Sequence, residues 1–253
     1  MNLFLRKKKL WITLPVVLTV LLLLTGICAA YLGDYYRADE DGLAAFAPQN
    51  AVICETSRDG SVTVQPADRE IKAGFIFYPG GKVEHTAYIP LMQALASEGV
   101  LCVLVEMPFR LAVFDVNAAD GIPARFPEVK TWYIGGHSLG GSMAASYLES
   151  HAEDFAGLVL LGSYSTADLS DTSLSVLSVY GSEDGVMNRE KYAANKPNLP
   201  ASFTETVIEG GNHAGFGLYG PQDGDGIATI TPAEQIHRTV SAILSIMEAQ
   251  NED

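Results

Sequence analysis

The sequence predicts a doubly wound, mostly parallel α/β sheet of about eight strands in one domain, without a large lid and preceded by one transmembrane helix. Three observations carry this. Short apolar runs rich in β-branched residues alternate with longer segments of helical period, and continuous apolar strands of that kind suit a parallel sheet buried on both faces. A glycine-flanked serine stands between one such run and the helical segment that follows it. Ahead of everything lies an uncharged stretch, Leu10 to Gly33.

The uncharged stretch is 24 residues long, and at ~1.5 Å per residue it makes ~36 Å of helix against a hydrocarbon layer of ~30 Å. Arg6, Lys7, Lys8 and Lys9 precede it, and Asp34, Asp39, Glu40 and Asp41 follow. The positive-inside rule then puts residues 1–9 in the cytoplasm and the folded domain outside. The expected organisation is a basic leader (1–9), a transmembrane anchor or signal segment (10–33), a linker (34–50) and the α/β domain (51–253). A retained single-pass anchor is preferred because a cleavable signal has a shorter apolar region. Cleavage after Ala30, which would release a secreted protein, is the alternative. Lipidation of Cys28 is disfavoured, because Ile27 stands where a small residue is needed.

The 253 residues carry 16 Lys plus Arg and 30 Asp plus Glu, a formal charge of −14, and are 48% hydrophobic. That apolar content fills a core and excludes a disordered chain. Because the four leader cations are the basic residues ahead of the span, 12 basic residues face 30 acidic ones beyond it, a charge of −18. Such a body offers phosphate backbones no cationic surface, so nucleic acid is not a partner. Cys54 and Cys102 fall within predicted strands and read as buried thiols. Two cysteines give neither a disulfide framework nor metal-ligand spacing, and neither a metal nor a cofactor is expected.

The strands begin with a hairpin, Ala51–Thr56 and Ser61–Gln65, turning at Arg58-Asp59-Gly60. The others are Ala73–Tyr78, Val100–Glu106, Thr131–Gly135, Gly157–Leu161, Leu174–Tyr180 and Phe203–Ile208. Thr86–Glu98, Gly140–Ser150 and Lys191–Asn195 supply crossover helices. Thr231-Pro232-Ala233-Glu234 is a capping box with Pro at the first helical position, opening a last helix that runs to about Met247.

The most specific chemical signal is Gly136-His137-Ser138-Leu139-Gly140-Gly141, after a strand and opening a helix. A serine on so sharp a turn projects from the sheet edge, and its flanking glycines avoid a clash. Its hydroxyl is a weak nucleophile until a base, itself held by a carboxylate, takes the proton. His213, in Gly210-Gly211-Asn212-His213-Ala214-Gly215, follows the last strand and is the candidate base. His85, His137, His151 and His237 read as structural or solvated. Asp184, in Tyr180-Gly181-Ser182-Glu183-Asp184-Gly185, follows the penultimate strand, with Glu183 as the alternative acid. The Pro79-Gly80-Gly81-Lys82 turn lets a backbone N–H approach substrate, so Gly81 and Leu139 are assigned as the oxyanion donors.

These residues resemble the α/β-hydrolase superfamily. FYPGGKVEHTAY, GGHSLGGSMAASYL, YGSEDGV and GGNHAGFG, over about 175 residues from Phe75 onward, resemble its compact dienelactone-hydrolase-like branch of bacterial membrane-anchored proteins. The resemblance implies a Ser–Asp–His triad that hydrolyses carboxylic esters or related acyl bonds without metal or cofactor. Dienelactone hydrolases proper carry cysteine where this chain has Ser138.

The expected function is therefore a serine hydrolase acting on a small-molecule acyl substrate. A peptidase or amidase with the same triad, and a non-catalytic envelope binding protein on the same fold, are the alternatives. Lys82 and Arg110 are expected to flank the site and favour anionic substrates. Phe109, with Leu111, Phe114 and Phe126, would supply an apolar wall. Between Leu161 and Leu174 there is too little chain, and too polar, for a lid, so small esters are expected over long-chain lipids.

Overall fold

The computed structural model describes residues 2–48 and 50–249, with side chains from residue 16 onward. Met1 and the side chains of Arg6, Lys7, Lys8 and Lys9, the leader cations, lie outside the described residues. The chain divides into two compact units between Tyr35 and Tyr36.

The first unit is dominated by one helix, α1 (Asn2–Gly33). Its Val16–Gly33 segment has a mean hydropathy of 2.4, long and apolar enough to cross a membrane or serve as a signal sequence. From Val16 to Tyr31 its side chains are exposed. The Thr25 hydroxyl bonds back to the Leu21 carbonyl at 2.9 Å, which spares it an unmet hydrogen bond in an apolar surrounding.

The second unit is built on one eight-stranded sheet: β1 (Val52–Thr56), β2 (Val62–Pro66), β3 (Ala73–Tyr78), β4 (Val100–Leu104), β5 (Trp132–His137), β6 (Gly157–Leu161), β7 (Ser175–Gly181) and β8 (Thr204–Ile208). Their spatial order is β1-β2-β4-β3-β5-β6-β7-β8. The β1–β2 and β2–β4 pairs are antiparallel and the others parallel. Strand order reverses at β3, whose neighbours are β4 and β5, and the crevice beyond the carboxyl ends at such a reversal is where these sheets bind ligands.

Alternation along the strands fills both faces. Phe75 and Phe77 pack with α3 (Ile89–Ala96) and α6 (Pro232–Ala249) through Leu91, Leu95, Ile236 and Ile243. Ile76 and Tyr78 point the other way, towards Ala144, Ala145 and Leu148 of α4 (Leu139–Leu148). A short helix, α5 (Arg189–Asn195), is capped by Asn188, whose side-chain oxygen accepts the Lys191 N–H at 2.8 Å.

Three expectations are corrected. Residues 36–48, within the expected linker, are part of the folded unit. Tyr36 forms a parallel bridge with Val83, the Asp39 N–H donates to the Leu218 carbonyl at 2.8 Å, and Asp39 caps α2 (Glu40–Ala45). The expected strand from Val100 to Glu106 ends at Leu104, and short 3-10 turns from Pro108 onward carry the crossover to β5. Cys102 is buried but Cys54 is exposed, and both are free. Each is in register with Val64 of the intervening β2, so two strand spacings of ~4.8 Å separate them, too far for a disulfide.

Candidate active site

Ser138 stands between β5 and α4 with φ 53° and ψ −121°, a conformation that costs a non-glycine residue ~1–3 kcal/mol and persists where surrounding structure imposes it. Here the surroundings do so. The Ser138 N–H donates to the Leu161 carbonyl at 2.9 Å, and the Ser163 hydroxyl donates to the Ser138 carbonyl at 2.7 Å. The bend also presses α4 against the β3 end. A Cβ at Gly140 would lie 2.3 Å from the carbonyl oxygens of both Tyr78 and Pro79, and one at Gly136 would lie 2.5 Å from that of Tyr78. Glycine at both positions is therefore a packing requirement.

The carboxyl ends of β7 and β8 bring Asp184 and His213 together. His213 Nδ1 faces Asp184 Oδ2 at 2.8 Å, and both side chains are buried. The other carboxylate oxygen accepts the N–H groups of Val186 (2.9 Å) and Met187 (2.8 Å). Burial pushes the Asp184 carboxyl up, but the His213 imidazole and these two N–H donors outweigh it and hold the group below its ordinary range. His213 Nε2 is buried without a hydrogen-bond partner among the described residues. The His213 ring is close to the serine turn, its centroid 4.4 Å from that of His137, the residue before Ser138. Glu183, the alternative acid, is exposed and accepts a bond from the Ser182 hydroxyl.

The Pro79-Gly80-Gly81-Lys82 turn, expected to supply an oxyanion donor, also comes close to the residue after the serine. A Cβ on Gly81 would lie 3.0 Å from Leu139 Cδ2, so Gly81 and Leu139 are neighbours. The Gly80 N–H is engaged by the Tyr88 hydroxyl at 3.2 Å, whereas that of Gly81 meets no backbone carbonyl among the described residues. Leu139 opens α4, where the first N–H groups have no intrahelical acceptor.

Ser138 opens on a cavity of about 270 Å³ walled by Leu139, Ser142, Tyr164, Val186 and Met187. A second cavity, about 440 Å³, lies at the end of β4 and is walled by Phe109, Asp59, Glu106, Asp115, Asp120 and Arg125. Lys82 and Arg110, expected to flank the site, line neither cavity. Their backbones pair instead, Lys82 N–H to Arg110 carbonyl at 2.8 Å, with φ of 59° and 60°. Phe109 and Phe114 are exposed and pack edge to face at 5.6 Å, while Phe126 lies against Trp132. Of the expected four-residue apolar wall, Leu111 lies beside Gly81, its Cδ2 3.7 Å from where a Cβ on that residue would be. Among the described residues no group of three or more His, Cys, Asp or Glu is placed to hold a metal ion.

The sequence profile of the alpha/beta hydrolase family matches residues 74–237, a span that runs from β3 into α6 and takes in Ser138, Asp184 and His213. The chain belongs to the alpha/beta hydrolase family. The crystal structure of TT1662 from Thermus thermophilus is similar in fold to this hydrolase, with a TM-score of 0.57 at 15% identity over 78% of this chain and 99% of that one. No curated protein matches the sequence.

Sequence reasoning missed several groups that surround the hydrolase's site. Tyr88 is fully buried and joins the oxyanion turn to His137, its hydroxyl 2.8 Å from His137 Nδ1. Gln235 of α6 clamps the residue before His213, accepting the Asn212 N–H at 3.0 Å and donating to the Asn212 carbonyl at 2.7 Å. The remaining histidines are structural. His85 bonds to the Gly60 carbonyl, His151 stacks on Tyr147 and His237 on Phe46.

Proposed function

We propose that this hydrolase cleaves small carboxylic esters through an acyl-enzyme on Ser138, with His213 as base and Asp184 as its orienting carboxylate. The observation that carries the reading is the left-handed Ser138 turn beside a buried His213–Asp184 pair whose Nε2 has no hydrogen-bond partner among the described residues. Ser138 Oγ attacks the ester carbonyl carbon while its proton passes to His213 Nε2. The carbonyl electrons move to an oxyanion met by the N–H groups of Gly81 and Leu139. Collapse of this intermediate expels the alkoxide, which takes the proton back from His213 and leaves as alcohol. Water, deprotonated by the same imidazole, then cleaves the acyl-serine to free acid and serine.

Substrate size follows from the cavity and from what covers it. Residues 162–174, between β6 and β7, hold no helix. They lie down on the domain, with the Leu169 N–H bonded to the Asn198 carbonyl and the Asn198 amide bonded to the Ser165 carbonyl. An open site of this volume supports short acyl groups. The quoted strings support membership of the compact dienelactone-hydrolase-like branch, and the basic leader with its apolar helix supports a single-pass anchor with the catalytic domain outside the cytoplasm. Hydrolysis of p-nitrophenyl acetate by the full chain in detergent, lost in Ser138→Ala, tests the reaction. Undiminished turnover by that variant would refute it.

A further inference from the structure

The loops that carry Asp184 and His213 leave neighbouring strands, and a third loop stitches them together. Asp225 Oδ1 accepts the N–H of Gly185 (3.1 Å), next to Asp184, and the N–H of His213 itself (3.1 Å). It also accepts the N–H of Gly226 at 2.9 Å, while Oδ2 accepts that of Ala214 at 2.8 Å. The approach is close enough to exclude side chains. A Cβ at Gly226 would lie 2.0 Å from the Glu183 carbonyl oxygen, and one at Gly185 would lie 2.6 Å from that of Gly224.

We propose that Asp225 is a positioning residue that sets the His213–Asp184 pair. Its effect on turnover rests on the serine-hydrolase reading, but its effect on the pair does not. N–H groups donated to a carboxylate make stronger hydrogen bonds than those donated to a neutral acceptor, and here four converge on one side chain from three loops' worth of backbone. Gln235 secures Asn212 from the opposite side, and the two loops are joined at their roots by the Glu183 N–H to the Gly211 carbonyl at 2.8 Å and the Gly210 N–H to the Ser182 hydroxyl at 2.9 Å, yet Asp225 grips them at Gly185 and at His213 itself, beside the pair. Without it the segments next to Asp184 and His213 lose this shared anchor, and a misplacement of ~1 Å in such a constellation can cost ~10²-fold in rate.

The test uses the full chain in detergent micelles with Asp225→Asn and Asp225→Ala. Asn keeps the size and one acceptor oxygen but turns an NH₂ towards the Ala214 N–H, so it remains informative if the Ala variant does not fold. Two quantities are read: the far-downfield proton resonance of His213 Nδ1–H, assigned by its absence in His213→Ala, and kcat and KM for p-nitrophenyl acetate per folded molecule. We expect Asp225→Asn to broaden or shift the resonance and to lower kcat at least tenfold with KM within twofold. A native resonance with kcat within twofold of the parent overturns the proposal. If the parent shows the resonance but no esterase activity, the resonance alone decides the role of Asp225, and it is the ester reading that falls.

Discussion

The rings of His137 and His213 lie 4.4 Å apart, inclined at 47°, and it is His213 that faces a carboxylate, while His137 faces the Tyr88 hydroxyl. Burial first, and the neighbouring His213 second, pull the His137 pKa well below its ordinary value. His137 therefore stays neutral, so that a proton taken up by His213 meets no second cation across the ring contact.

This has a consequence for stability. Below about pH 6.5 the unfolded chain binds a proton at position 137 that the native protein refuses, so stability falls as pH falls, by up to about 1.4 kcal/mol per pH unit. Above that pH the penalty is absent. Asp184 also resists acid, but its contribution is present above its unfolded value of about 3.9 and is lost only as pH falls through the lower native value, outside this window. Thermal midpoints at pH 7.5 and 5.5 should fall less for His137→Asn than for the parent. Equal falls would contradict the assignment.

Asp184→Asn should lower kcat by several orders of magnitude, on the scale of the ~10⁴ loss that the same change causes in a serine protease, because the amide no longer holds His213 in the required tautomer. Glu183→Gln should stay within twofold, since Glu183 is exposed and bonds to the Ser182 hydroxyl. The reverse pattern in steady-state kinetics would move the acid to Glu183.

With about 270 Å³ beside Ser138, each methylene that the pocket can still bury adds ~0.8 kcal/mol, or about fourfold. The efficiency on p-nitrophenyl esters should rise from acetate to butyrate and fall beyond. A preference for laurate or palmitate, or activation by a lipid interface, would refute the small-ester assignment.

Lys82 and Arg110 line neither of the two cavities, and four carboxylates wall the larger one. Matched neutral and carboxylated esters should show no advantage for the anion, and Lys82→Met and Arg110→Met should leave their ratio unchanged. A preference for the carboxylated ester that either substitution removes would show that these cations draw an anionic substrate to the site.

The inner strands are legible in the sequence because burial on both faces writes continuous apolar runs, while the exposed edge strand β1 is legible from its hairpin turn, and β3, β6 and the start of α6 fall where those runs and the capping box put them. Ser138, Asp184 and His213 are legible for a related reason, since each follows a strand whose carboxyl end is readable. What escapes is contact between loops. Residues 107–129 carry no strand or helix signal, and Pro108 and Pro123 start separate 3-10 turns within them. Asp225 lies far along the chain from Asp184 in an irregular segment, and no local pattern reveals that four N–H groups converge on it. Tyr36 to Ala45 read as linker because their partners, Val83 and Leu218, are distant in sequence.

The central claim is that Ser138 is a nucleophile activated by His213, and covalent labelling tests it most directly. The full chain in detergent, treated with a fluorophosphonate and digested, should yield in the mass spectrum one phosphonylated peptide modified at Ser138. Labelling should be abolished by Ser138→Ala and reduced to a trace by His213→Ala. An unmodified Ser138 in the folded parent, or equal labelling of the His213→Ala variant, would contradict the account.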